Sequence, residues 1–535
     1  MGGGYDYDWL VIGSGFGGSV SALRLAQKGY RVAVLESGRR FADDDFAQET
    51  KDARRYYWLP QLGLKGILRL TLFRDVFVAS GCGVGGGSLG YANTLYRALP
   101  GFYANPQWSA LADWEAELAP HYDEAERMLG VVDYDTDGDA DLLLRELGES
   151  LGVGDTYRRT RVGVYLGEPG RTVPDPFFGG EGPDRTGCLR CGSCMVGCRH
   201  GAKNTLVKNY LWFAERAGVT VMPERTVVDI VPIGGAQASG VTGYTVSHIR
   251  SGALVRRDRR EIRARGVIVA AGALGTNRLL ARCKLSGSLP RISPKLGQLV
   301  RTNSESILAV TAPEGDTRDF TKSIAITSSI HTDPSTHIEV VTYGAGGDSQ
   351  SLLFSLMVEA GSRGTKPLHF ILQALRDPRG AGRALRIKGT SRRTVILLVM
   401  QSLDNSISLR VKRRWPGGAV ALTTEQDPLH PNPDRIPVAY EAARWFAERL
   451  GGDAYSSVME SMFSIPTTAH ILGGAVIGAD PDHGVVDARQ RVFGYENLLV
   501  CDGSAVPANV GANPSLTITA LAERAMSQIP PASAQ

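Results

Sequence analysis

The strongest architectural demand in the chain comes near its start. Asp8-Trp-Leu-Val-Ile-Gly13 is a short apolar strand, and Gly13-Ser-Gly15-Phe-Gly-Gly18 follows it directly, opening the amphipathic stretch 19–29. A second strand, 31–35, ends in Glu36. Strand, glycine turn, helix, strand and acid in this order form a βαβ unit, which commits the chain to a parallel sheet. Gly13 permits the tight turn, and Gly15 lets main chain approach a pyrophosphate at the helix N-terminus. Gly18 lets helix and strand pack closely, while Glu36 can accept hydrogen bonds from a ribose. The unit points to a dinucleotide and leaves FAD and NAD both open.

Such a unit fills only part of a chain of 535 residues. At roughly 100–200 residues per domain more than one folding unit is expected, and 43% hydrophobic content is ordinary for globular protein. A formal charge of +4 with a pI near 8.6 is too mild to argue for a nucleic-acid partner. The longest apolar runs, 267–274 and 395–400, fall short of the roughly 18 residues a membrane span needs. With no signal peptide read at the front, a soluble, cytoplasmic protein is expected. The 64 glycines follow no period, so they mark turns and close main-chain approaches rather than a fibre.

Further segments narrow the choice of dinucleotide. Phe77-Val-Ala-Ser-Gly-Cys-Gly-Val-Gly-Gly-Gly-Ser-Leu-Gly-Tyr-Ala-Asn93 presses glycine-dense main chain against something flat or anionic. Val267-Ile-Val-Ala-Ala-Gly-Ala-Leu-Gly-Thr-Asn-Arg-Leu-Leu280 is a buried strand that turns through small residues into a helix. Towards the end come His470-Ile-Leu-Gly-Gly, Asn497-Leu-Leu-Val-Cys-Asp-Gly503 and Val510-Gly-Ala-Asn513-Pro-Ser-Leu-Thr-Ile-Thr-Ala-Leu-Ala-Glu523. Ordered from Gly13 to Glu523, these segments resemble the glucose-methanol-choline (GMC) family of FAD oxidoreductases, and within it the bacterial cholesterol-oxidase-like branch.

The resemblance implies an α/β fold in which a Rossmann-like FAD-binding domain accompanies an α+β substrate domain with a mainly antiparallel sheet. The FAD-binding domain is expected from 1–40, 76–105, 200–292 and 467–535, and the substrate domain and lid from 41–75, 106–199 and 293–466. By the same resemblance Gly13, Gly15, Gly18 and Glu36 hold the ADP half of FAD, and Gly85, Gly86, Ser88 and Asn93 lie along the pyrophosphate and flavin. Val228 meets adenine through its main chain, Asp502 and Gly503 hold the flavin's linking chain, and Asn513 and Pro514 flank the ring. His470 takes the place of the family's histidine at the flavin face, with Asn513 as its catalytic neighbour. An imidazole within reach of a hydroxyl can orient it and take its proton while the neighbouring carbon gives up hydride. Glu339 stands where steroid oxidases of this type carry a glutamate that moves a proton as a double bond shifts. No shared motif fixes the register there, and a solvated strand carboxylate is the plain alternative.

Four of the seven cysteines, Cys188, Cys191, Cys194 and Cys198, follow the spacing C-x2-C-x2-C-x3-C. That spacing resembles ferredoxin segments around a 4Fe–4S or 3Fe–4S cluster, whereas structural zinc usually takes two knuckles separated by a longer loop. Against iron, no proline follows Cys198 and the family's steroid oxidases lack such a cluster. Cys82 is a distant thiol that could complete a cube. Iron–sulfur cluster, zinc and reduced thiols are the three readings. A one-electron relay beside the flavin would drain it toward a protein or quinone acceptor, so a dehydrogenase is expected and not an oxidase serving oxygen.

The remaining segments belong to the substrate side. Residues 39–75 include YYWLPQLGLKGILRLTLF, read as a lid or as a packed helix pair. The acidic turn 133–141 mimics half a calcium loop but lacks a closing Glu in register, so a solvated turn is expected. Residues 363–393 carry Lys366, Arg376, Arg379, Arg383, Arg386 and Lys388 around PLHFILQAL, whose apolar residues fall at helical spacing. This is either peripheral contact with an anionic membrane or a solvated face. The expected reaction is oxidation of a secondary alcohol on a hydrophobic, steroid-like ring. The alternatives are dehydrogenation of a cyclic ketone to an enone and, from another class, an electron-transfer or redox-sensing flavoprotein.

Overall fold

A computed structural model describes residues 4–236, 241–253, 258–414, 419–433 and 435–532. The βαβ unit forms as its residues require. Strands Tyr7–Ile12 and Val32–Leu35 pair in parallel across helix Phe16–Gln27. Thr220–Met222 extends the sheet on one side and Arg260–Val269 on the other, both parallel, and Leu498–Val500 adds in parallel to Arg260–Val269. Tyr244–Arg250 and Arg225–Pro232 complete seven strands in antiparallel fashion. The central strands are buried on both faces, as continuous apolar runs such as WLVI and VIV require.

A second seven-stranded sheet runs in the order Phe354–Leu356, Asp453–Ser457, Ser306–Thr311, Thr394–Gln401, Thr336–Val341, Ile326–Asp333, Arg158–Arg159, with every neighbouring pair antiparallel. Alternation along these strands divides their side chains between two faces. Leu308, Val310, Ile338, Val340 and Leu397 share a core with helices Asp139–Ser150 and Pro437–Leu450. Ala309, Val341, Ile396, Leu398 and Met400 make a separate cluster on the other face. Glu339, flanked in sequence by Ile338 and Val340, therefore shares the face of Val341 and lies opposite Leu398 on the neighbouring strand.

Two expectations change. The stretch 58–72 forms short strands, Trp58–Leu59, Leu64–Lys65 and Leu68–Leu72, where a helix pair was one of the readings. In LRLTL every second residue is apolar, a strand period, and Gly63 and Gly66 interrupt any helical run. The acidic turn is not simply solvated. Asp137 is held well below the usual carboxylate range by its hydrogen bonds with Arg159, Tyr157 and Arg145, and buried Asp141 accepts from Thr327 at 2.5 Å. No described helix is long and apolar enough to cross a membrane.

Candidate functional site

The two glycine loops meet. Gly86 has φ +53°, and a Cβ built on it would stand 2.6 Å from Gly15 Cα, so only glycine fits there. A Cβ on Gly15 would meet nothing nearer than Gly86 Cα at 4.0 Å. Main chain thus faces open space beside the start of helix Phe16–Gln27, which also holds Gly18; such a cradle suits a diphosphate. Ser14 links the loops: its hydroxyl accepts from the Gly85 N–H at 3.1 Å and donates to Glu36 at 2.8 Å. Glu36, buried at the end of its strand, also accepts from the Ser14 and Gly38 N–H groups at 3.0 and 2.8 Å. Ser88 pins the second loop by donating to the Gly85 carbonyl at 2.7 Å and accepting from the Leu206 N–H at 3.0 Å. Val228 sits at a bulge in Arg225–Pro232, whose first residue donates its N–H to the Glu36 carbonyl at 2.7 Å.

The structure thus brings together Gly13, Gly15, Gly18, Glu36, Gly85 and Gly86, with Val228 nearby along the adjoining strand. Asp502 and Gly503 approach from the C-terminal segment. The Asp502 carboxylate accepts from the Gly272 N–H at 2.8 Å, Thr276 Oγ1 at 2.6 Å and the Ser504 N–H at 2.8 Å, and burial raises its pKa. That side chain is a strut between two turns. With a glycine cradle for the diphosphate and a buried acid for the ribose, these residues fit FAD. Asn93 lines the cavity of the cysteines.

The polar centre assembles from three distant segments. Residues 301–306, Arg-Thr-Asn-Ser-Glu-Ser, are polar throughout and buried throughout. Arg301 and Leu472 exchange backbone hydrogen bonds at 2.9 Å, and the Thr468 hydroxyl donates to the Thr302 carbonyl at 3.0 Å while accepting from the His470 N–H at 2.9 Å. Asn303, left-handed at φ +60°, clamps the loop carrying Asn513. Its N–H donates to Asn509 Oδ1 at 2.8 Å, its Nδ2 to the Ala512 carbonyl at 2.9 Å, and its Oδ1 accepts from the Gly511 N–H at 3.0 Å. Asn513 is followed by Pro514, which caps helix Ser515–Ser527.

At this centre Glu305 is hydrogen-bonded to His470 Nδ1 and accepts the Ala469 N–H at 2.9 Å. Asn513 Nδ2 lies 3.4 Å from both His470 Nε2 and Glu339 Oε2. Burial opposes a charged imidazole, but the Glu305 carboxylate outweighs burial and raises the pKa of His470. Burial pushes Glu339 up to about 8, against a smaller lowering by His470 and Asn513. Near neutrality Glu339 is therefore a neutral acid. Glu339 Oε1 and Asn513 Oδ1 are buried without partners among the described residues, an unfinished network of the kind a ligand completes. With Nδ1 held by Glu305, Nε2 is left to accept a proton.

Glu305 and Asn303 were not identified from the sequence. The one available signal was a run of six polar residues leading straight into an apolar strand, which reads locally as a surface loop. Glu339 itself opens onto an apolar wall. Leu398 and Ile307 continue its cross-strand row, and Val341, Ile396, Ala309 and Tyr455 form the next. That wall continues to a cavity of about 360 Å³ lined by Ala309, Thr311, Phe354 and Tyr455, with Arg383 and Arg386 also in its lining.

The cysteine expectation is corrected. Cys188, Cys191, Cys194 and Cys198 are all free thiols lining one cavity of about 280 Å³. Yet among the described residues no group of three His, Cys, Asp or Glu side chains could hold a metal ion. Iron–sulfur and zinc readings both require thiolates gathered on one centre. Here the loop is pinned on both sides of Cys194, which leaves the thiols around a cavity and not on one centre: the Gly192 N–H donates to the Ser323 carbonyl at 2.7 Å, and Gly197 packs on Phe46. Burial also pushes the Cys188 and Cys194 thiols up to about 12 and 11, the protonated side at neutral pH. Lys203 shares the cavity, its ammonium donating to the carbonyls of Leu89, Tyr91 and Cys194. Cys82 is not among the cavity's lining residues; it contacts Arg69 and Ser37.

Comparison with known proteins agrees with this geometry. The GMC oxidoreductase family model matches residues 424–522, the segment containing His470, Asp502, Gly503 and Asn513, and the FAD dependent oxidoreductase model matches residues 8–333. A cholesterol oxidase of Mycobacterium tuberculosis is 50% identical over 98% of this chain and 91% of its own. One from Acinetobacter baumannii is 47% identical over 98% of this chain and 95% of its own. Among solved structures, pyridoxine 4-oxidase from Mesorbium loti matches with a TM-score of 0.61 at 17% identity, covering 97% of this chain and 98% of that one.

Proposed function

The chain belongs to the GMC family of FAD-dependent oxidoreductases, and from that premise we propose that it oxidises the secondary alcohol of a 3-hydroxysteroid or a similarly apolar ring alcohol. The observation that carries this reading is the His470 centre, with Nδ1 held by Glu305 and Nε2 beside Asn513, at one end of an apolar sheet wall. The named cholesterol oxidases support the substrate class.

Bound FAD supplies the hydride acceptor; the other roles fall to the chain. Gly15, Gly85 and Gly86 offer main chain to the diphosphate, Glu36 accepts from the ribose, Val228 borders the adenine, and 502–503 and Pro514 face the flavin half. The substrate hydroxyl takes the place of Asn513 at His470 Nε2, donates its hydrogen there, and receives a hydrogen bond from Asn513 Nδ2. Glu305 keeps the ring in the required tautomer and stabilises its charge once the proton arrives. Leu398, Ile396 and Ile307 exclude water from the ring system. Glu339, a neutral acid able to lose and regain a proton near pH 8, is the group we assign to a double-bond shift after oxidation. We assign FAD to 1–40, 76–105, 200–292 and 467–535 and substrate to the remainder.

For the acceptor we propose molecular oxygen. The relatives are named oxidases, and the dehydrogenase reading rested on a metal relay that the four thiols do not gather to form. Anaerobic mixing with a panel of alcohols and ketones tests the whole reading. Bleaching of the flavin by 3-hydroxysteroids supports it, bleaching by cyclic ketones alone assigns enone formation, and bleaching by neither assigns an electron-transfer flavoprotein. Peroxide formed in step with alcohol consumed identifies oxygen as the acceptor.

A further inference from the structure

Helix Lys366–Arg376 is inverted relative to an ordinary surface helix. Its inward side packs on helix Val458–Phe463 and holds buried Lys366 and partly buried His369, Phe370 and Gln373. Its outward side carries Leu368, Ile371, Leu372 and Leu375, spaced i, i+3, i+4, i+7, with Leu375 72% exposed. A soluble helix normally turns such a stripe to the core. Leu385 and Ile387 extend the exposed apolar surface beyond helix Pro378–Ala384.

The charges on this element make the stripe specific. Arg383 pairs with Asp453, Arg386 with Glu314 and Arg363 with Asp75. Arg376, Arg379 and Lys388 are exposed, and none makes an ion pair among the described residues. Apolar side chains at the surface with unpaired cations beside them match an anionic lipid bilayer, whose acyl region takes the leucines and whose headgroups take the cations. The same element reaches the apolar wall of the site. Arg383, Ala384 and Arg386 line the cavity of about 360 Å³ whose other lining residues include Ala309 and Tyr455, one cross-strand row beyond Glu339.

We propose that helix Lys366–Arg376 and the turn after it dock on an anionic bilayer surface and set the mouth of the substrate cavity against the lipid. The link to substrate rests on the alcohol-oxidation reading, whereas the docking does not. The FAD-loaded protein is to be sedimented with phosphatidylcholine vesicles with and without phosphatidylglycerol, across a salt series. Sedimentation is expected with phosphatidylglycerol at low salt, weakening as salt screens the cations. Ile371→Asp/Leu375→Asp and Arg376→Glu/Arg379→Glu/Lys388→Glu should each weaken it by on the order of tenfold or more. Both variants should oxidise a cyclodextrin-solubilised steroid alcohol as the wild type does and lose rate only on vesicle-borne steroid. No sedimentation at low salt, or sedimentation that neither variant weakens, overturns the proposal. A wild-type dimer that Ile371→Asp/Leu375→Asp splits, without vesicle binding, overturns it in favour of a second copy of the chain. Vesicle binding by a protein that no steroid alcohol reduces leaves the surface standing and removes the substrate reading.

Discussion

The His470 centre is buried and polar, the four-cysteine cavity is only partly buried, and the two are opposite in how they were built. The histidine centre draws Glu305, Glu339, His470 and Asn513 from segments far apart in the chain, and their side chains converge within hydrogen-bonding range. The cysteines lie within 188–198 at a spacing that resembles a cluster-binding loop, yet they line a cavity without forming a metal-holding group. Convergence is a tertiary property. Short spacing brings side chains near one another but does not close them on one point, and this loop is pinned by residues 323, 344 and Phe46 with its thiols spread around a cavity. The electrostatics differ in the same sense. Glu305 and His470 are directly hydrogen-bonded as a pair, whereas Lys203 donates to carbonyls and acts on the Cys194 thiol only through space, too weakly to offset burial.

The contrast breaks first at His470. His470→Ala should slow alcohol-driven flavin reduction by on the order of 100-fold or more while FAD remains bound, since the ring is the one group placed to take the proton. An unchanged rate in anaerobic stopped flow would remove the imidazole from the mechanism. Glu305→Gln sharpens the same point through a second observable. The base must be neutral to act, so kcat/KM rises with pH through the pKa of His470, which the Glu305 anion raises against burial. Without that anion burial prevails, the pKa falls, and the acid limb should move to lower pH as the rate drops by about 10-fold or more. A pH profile with an unmoved limb would reduce Glu305 to a structural residue.

How much of this was legible follows from the range of the interactions. Gly13, Gly15, Gly18 and Glu36 lie within one contiguous βαβ unit, so residue order alone encodes their geometry. His470 and Asn513 were legible through a resemblance, because the physics of a lone histidine in sequence does not distinguish a base from a core residue. Glu305 was not legible at all: its partner is 165 residues away, and the two are set in register by tertiary bonds, the backbone bridge between Arg301 and Leu472 and the Thr468–Thr302 hydrogen bond. Asn93 was assigned to the flavin loop through the resemblance, and its place in the lining of the cysteine cavity was not legible, because that cavity joins segments about 100 residues apart. The strand Leu68–Leu72 shows the opposite failure, since its alternation was present and the apolar bulk of its surroundings obscured it.

Glu339 offers a gentler probe, in stability rather than rate. Its folded pKa, about 8, lies above its ordinary 4.5, so between those values the folded chain holds a proton the unfolded chain has lost. Stability therefore falls as pH rises through that window. His470, also raised, contributes in the same direction: its stabilisation is complete below about 6.5 and is lost as pH passes its folded value. Glu339→Gln should flatten the decline in melting temperature between about pH 5 and 8 without abolishing it, because the histidine share remains. An identical slope in the variant would mean that Glu339 ionises in the folded protein as it does in water.

The smallest effect belongs to the cysteines, and its smallness is informative. Cys191 and Cys198 are only partly buried, so Cys191→Ser/Cys198→Ser exposes little apolar surface and opens no large void. If the thiols do no more than line a cavity, FAD content and steroid-driven flavin reduction should stay within about twofold of wild type, in line with substitutions away from buried contacts. Iron and acid-labile sulfide, measured on anaerobically purified wild type, should be absent at stoichiometric levels. Should both be present and disappear with the two substitutions, the loop must curl inward around a cluster as its spacing first indicated, and the contrast between local spacing and tertiary convergence would fail where it now looks strongest.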